Sequence, residues 1–175
     1  MKSCCFNIMM IGFLVACSQN SGTGVDKSDS GKDIMRQAIT LAEDYAKSQL
    51  KEAQKIVAGN GIITLADKQN LYVIEPKKVF TGPVNEDPEN DVIVSVAAFQ
   101  GPNQTITRHL ILLNTNGKLA LTRVVESDME ILWIKNGVIT AEVPTHPRNS
   151  PLFNCSECRD VVNFRFQGGE LVKIE

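Results

Sequence analysis

The sequence predicts an α+β domain, with one long N-terminal amphipathic helix packed on a mostly antiparallel β-sheet built as a meander of hairpins. Three observations lead there. Apolar residues between positions 33 and 58 recur at steps of three and four. After Gly61 the pattern changes to short runs rich in β-branched residues, and Gly, Asn, Asp or Pro separates nearly every run. With 43% of its 175 residues hydrophobic, the chain can bury one core of ordinary size, which excludes disorder of the whole. Its 18 Lys and Arg against 20 Asp and Glu leave a net charge of -2, so nucleic acid is not an expected partner.

The helix comes first. Met35, Ile39, Ala42, Ala46, Leu50, Ala53 and Val57 form one stripe, widened by Ile34, Ala38, Leu41 and Tyr45. Polar residues such as Lys47, Gln49, Lys51 and Lys55 occupy the remainder. The expected length is about 24 residues, closed by Gly59-Asn60-Gly61. The stripe is read as a cover for the protein's own sheet, although a partner or a membrane surface could use the same face.

Nine strand-like runs follow, at 62–65, 71–74, 92–99, 105–113, 119–125, 129–134, 138–143, 161–166 and 171–174, for a sheet of about seven to nine strands. Asn116-Gly117 and Asn136-Gly137 suit two-residue type I′ turns, which need positive φ at both central positions. The second turn sets Ile134 opposite Ile139 and Leu132 opposite Ala141, with Trp133 on the face of Ile131, Thr140 and Glu142. That half-polar face makes Trp133 a candidate binding platform, the competing reading being a Trp packed beneath a loop or the helix. For the last hairpin, a three-residue loop of Gln167-Gly168-Gly169 is expected, pairing Phe164 with Val172 and Val162 with Ile174 so that both apolar pairs share a face. No second helix separates the runs, so parallel crossovers are not expected.

Motifs for catalysis are missing from the sequence. There is no G-x-S-x-G, H-E-x-x-H, P-loop or G-x-G-x-x-G after a strand, and the two histidines have no Ser or Cys nucleophile evident nearby. His109 falls within a strand run, on the face of Thr107, Ile111 and Leu113, and is read as a hydrogen-bonded strand histidine. The acidic stretch from Glu86 to Asp91 lacks the spacing of an EF-hand and is read as a solvated turn. No cofactor and no metal are expected, and the chain is not expected to be an enzyme.

The first sixteen residues form a short charged start followed by an apolar run from Cys4 to Val15. About 20 apolar residues are needed to span a bilayer, so this run reads as an export signal. It ends in Leu14-Val15-Ala16-Cys17, which resembles the lipobox of bacterial lipoprotein precursors. The resemblance implies cleavage before Cys17, a diacylglyceryl thioether on Cys17, and membrane attachment without a spanning helix. Residues 17–32 would then be the lipidated Cys and a flexible tether, with a reach on the order of 20 Å, and 33–175 a single domain. Ser18, where the family's sorting logic reads an Asp as an inner-membrane signal, favours the outer membrane.

With Cys4 and Cys5 leaving in the leader and Cys17 lipidated, Cys155 and Cys158 remain. In an exported domain they are expected to form a local disulfide. A proline-rich loop, not a helix N-terminus, carries this C-x-x-C, which argues against a thioredoxin-like role. The order Trp133 to Thr140, Thr145-His146-Pro147, Cys155, Cys158, Phe164 to Phe166, Gly168-Gly169 is similar to the ending of some small secreted β-rich bacterial proteins and lipoproteins. That similarity implies a cell-envelope module and supplies no catalytic residue. The expectation is a lipid-anchored envelope protein that binds a protein or small ligand. The rival is a thiol- or metal-dependent envelope protein using Cys155, Cys158 and His146.

Overall fold

The computed structural model describes residues 27–101, 104–153 and 155–175. The leader, the lipobox with Cys17 and the tether up to residue 26 lie outside the described residues. Among the described residues one helix, α1 (Lys27–Ser48), precedes ten strands. β1 (Gln54–Val57), β2 (Ile63–Ala66), β3 (Asn70–Gly82), β4 (Asp91–Gln100), β5 (Gln104–Thr115) and β6 (Lys118–Glu126) form a first sheet in sequential order. A second sheet holds β7 (Glu130–Lys135), β8 (Val138–Pro144), β9 (Arg159–Gln167) and β10 (Glu170–Ile174), also sequential. Every pairing between these strands is antiparallel.

The single sheet expected from the sequence is therefore two, and β4 and β5 explain why. Val92, Val94, Val96, Ala98, Leu110 and Leu112 cluster with Ala38, Ala42 and Ala46 of α1, all fully buried. The alternate residues Ile93 and Ile111 cluster instead with Ile131, Ile139 and Phe166 of the second sheet. A lone sheet with one helix would leave this second set in water, at roughly 1.5–3 kcal/mol per large side chain. The chain turns at residues 127–129 to cover it, with Ser127 N–H donating to the Thr107 carbonyl (3.1 Å) and Ser127 Oγ accepting from Met129 N–H (3.2 Å).

The helix differs from the expected one at both ends. It starts at Lys27, inside the stretch read as tether, because a polar first turn gives no apolar period yet can still be helical. It stops at Ser48, where Gln49 and Leu50 N–H groups bond the Ala46 and Lys47 carbonyls (both 3.1 Å) in a tightened last turn. Residues 54–57, expected as the helix end, form β1, whose β-branched Ile56-Val57 pair suits a strand. Gln37 fastens the helix to the sheet by donating to the Gly117 carbonyl (3.0 Å) and accepting from Leu119 N–H (3.0 Å).

Both Asn-Gly turns adopt the expected conformation, with φ of 53° and 82° at Asn116-Gly117 and 52° and 73° at Asn136-Gly137. The Gly168-Gly169 loop corrects the expectation: it is a two-residue turn with φ of 59° and 85°, pairing Phe164 with Lys173 and Phe166 with Leu171. Phe164 already has an apolar neighbour in Ile139 on β8, so an edge-strand lysine opposite it is tolerated. In β7 a bulge between Ile131 and Trp133 pairs Ile131, not Leu132, with Ala141. Ile131 is thereby buried while Trp133 turns outward. The acidic turn is latched to the fold rather than merely solvated: Asp91, fully buried, accepts from the N–H groups of Val84 (2.8 Å), Asn85 (3.2 Å) and Asn114 (2.9 Å).

Candidate functional site

On the inner faces of β4 and β5 the large side chains Ile93 and Ile111 give way, toward one end, to Ser95, Ala97, Thr105 and Thr107. These small residues floor a cleft of about 460 Å³. A bulge in β3 builds one wall. Ile74 pairs with Val96 and Val79 with Val94, so residues 75–78 oppose Ser95 alone. Pro76, which has no N–H to donate, sits in that extra length, and Glu75 and Lys78 line the cleft. Asp128, Met129, Glu130 and Ile131 at the entry to β7 also line it, with Arg159 from the start of β9. Phe153, from the loop between β8 and β9, completes the rim.

The charges around this cleft are matched. Lys78 donates to Glu130, and this bond is the main reason the Glu130 carboxyl is held below its ordinary range, against the opposing effect of burial. Arg148 holds Asp128 through Nε (2.7 Å) and Nη2, and its guanidinium lies 6.0 Å from the Phe153 ring centre. Lys77 Nζ is 3.0 Å from Glu75. Arg159 donates from Nη2 to the Asp128 carbonyl (3.2 Å), while its Nε, buried and without a hydrogen bond, lies 3.5 Å from the Glu142 carboxylate. Each of these carboxylates has a cation beside it.

At the floor, Ser95 Oγ lies 2.8 Å from His109 Nδ1, its cross-strand partner. Burial pushes the imidazole down to about 4, a trend the Met129 carbonyl opposes and Lys78 reinforces. His109 is thus neutral at pH 7, and its Nε2 has no well-formed hydrogen bond. In a nucleophile pair the imidazole must take a proton from the hydroxyl, and one so reluctant to charge is a poor base. The arrangement is suited to hydrogen bonding.

The residues singled out from sequence fall in separate places. Cys155 and Cys158 stand at disulfide distance (2.12 Å between sulfurs) in the loop that carries Phe153. His146 lies in the same loop, but among the described residues no group of three His, Cys, Asp or Glu side chains could hold a metal ion. Trp133 is 53% exposed on the outer face of the second sheet, away from the cleft, in a cross-strand row with Thr140, Asn163 and Ile174. Sequence reasoning missed Glu75, Lys78, Asp128, Glu130, Phe153 and Arg159. The signal available was Pro76 interrupting a run of strand formers, together with the change from large to small residues along one face. No family model matches the chain, and neither a curated protein nor a solved structure matches it.

Proposed function

We propose that this chain is a lipid-anchored protein of the bacterial cell envelope, outer-membrane located, whose folded domain is a non-enzymatic binding module. The anchor rests on Leu14-Val15-Ala16-Cys17 and on the apolar run before it. The binding role rests on one observation, the cleft over Ser95, Thr105 and Thr107, which is rich in hydrogen-bonding groups while its carboxylates lie beside cations. A preformed cleft of a few hundred Å³ with convergent polar groups is the usual form of a small-ligand site. In the same reading the apolar stripe of α1 is the sheet's own cover, supported by the burial of Ala38, Ala42 and Ala46 against it, and is not a docking face.

The rival thiol or metal reading draws no support from sulfurs already at bonding distance to each other. Metabolic labelling with an alkynyl fatty acid, followed by membrane fractionation, tests the anchor. The wild-type chain is expected to carry label and to sediment with membranes. Cys17→Ala is expected to lose the label and keep the uncleaved leader. Equal labelling of both would overturn the assignment.

A further inference from the structure

The cleft also indicates what kind of molecule fits it, an inference that rests on the domain being a binding module. An ion would need an uncompensated charge to offset the loss of its hydration. None is offered by Glu75, Asp128, Glu130 and Glu142, which lie beside Lys77, Arg148, Lys78 and Arg159. An apolar ligand would strip water from the Thr105 and Thr107 hydroxyls without replacing their hydrogen bonds. What suits the site is a neutral molecule dense in hydroxyls. Ionised carboxylates and guanidinium groups bond hydroxyls roughly twice as strongly as neutral partners do, and pairing leaves lone pairs and N–H groups to spare. The Phe153 ring adds an apolar wall, and Arg148 and the Cys155–Cys158 loop hold it at the rim.

We infer that the cleft between the two sheets binds a neutral saccharide, its hydroxyls meeting Glu75, Glu130 and Arg159 and its C–H face resting on the Phe153 ring. The full chain in detergent, labelled with ¹³C at Thr, Met and Ile methyls, is titrated separately with maltose, cellobiose, N,N′-diacetylchitobiose, galacturonate and dialanine. At least one of the three neutral disaccharides is expected to shift the Thr105, Thr107 and Met129 methyls saturably. Phe153→Ala is expected to weaken that binding at least tenfold, and Trp133→Ala to leave it unchanged. Thr107→Val, close in shape to the native residue, is a second variant expected to weaken it several-fold with the remaining methyl spectrum intact. Shifts caused only by galacturonate or dialanine would overturn the saccharide inference and leave the binding module standing. Silence of the cleft methyls with all five probes would overturn both. Binding that neither variant weakens would overturn the placement in this cleft.

Discussion

Gly82 has no side chain because Ile134 leaves no room for one: a Cβ there would lie 2.9 Å from Ile134 Cγ2 and 3.0 Å from its backbone oxygen. This is the point where β3 presses against β7, so Gly82→Ala must push the sheets apart. It is expected to cost about 1–3 kcal/mol in urea unfolding, a typical overpacking penalty. His109 couples the fold to pH. Its folded-state value of about 4 lies below the 6.5 of an unfolded histidine, so the native state binds fewer protons between these limits. Its contribution is fully present above pH 6.5 and is lost as pH falls toward 4, on the order of 3 kcal/mol in all. The urea midpoint should fall across that window, and His109→Asn should flatten that part of the profile. Residues such as these were only half legible. Alternation placed His109 on the correct face, but the near-contact at Gly82 depends on how closely β3 and β7 approach, which no local pattern sets.

Among elements, the Asn-Gly hairpins were the most legible, whereas the Gly168-Gly169 loop was read one residue too long. The two Asn-Gly hairpins could be read because positive φ at two successive residues is a strong local demand. The bulge in β7 was not legible, since an extra residue leaves hydrophobic alternation looking normal until its partner strand is known, and in β3, where four residues oppose one, Pro76 was the local sign. β1 was hidden for a related reason: its four residues continue a helical stripe by coincidence of spacing, and only pairing with β2 shows them to be extended. The loop between β8 and β9 has a support beyond its cysteines. Thr145 donates to the Cys158 carbonyl from both its N–H and its Oγ1 (3.0 Å each), and Arg148 donates to Asp128. A ring closed between residues three apart restricts the unfolded chain little, so Cys155→Ser with Cys158→Ser should keep the fold and cost no more than about 2 kcal/mol by chemical denaturation. A larger loss would mean that the loop depends on the bridge for its shape.

For the molecule as a whole, the fold class was legible but the number of layers was not. The clue lay in β4, where Asp91 to Val96 are buried without a break, the mark of a strand covered on both faces. A run of that kind calls for two covers, and one helix supplies only one. The cleft forms where Ile93 and Ile111 give way to smaller residues on the face shared with the second sheet and where β3 bulges, a meeting of distant segments that local patterns do not encode. The double hydrogen bond between Gln37 and the start of β6 then gives the molecule a polarity. It places the middle of α1 beside the Asn116-Gly117 turn, while just past the helix Lys51 N–H donates to Asp67 (3.2 Å) at the opposite end of the sheet. The helix therefore begins on the Asn-Gly side, whereas Thr105 lies at the other end of β5, about 34 Å along the strand. Were Cys17 to carry the proposed lipid, ten residues spanning at most about 36 Å would lead to Lys27, and the Asn-Gly end would be the one held nearer the bilayer. A fluorophore on Lys118→Cys should therefore be quenched by brominated lipid more strongly than one on Thr105→Cys. The cleft, floored near the Thr105 end of the strand, would then lie on the side of the domain away from the parent membrane.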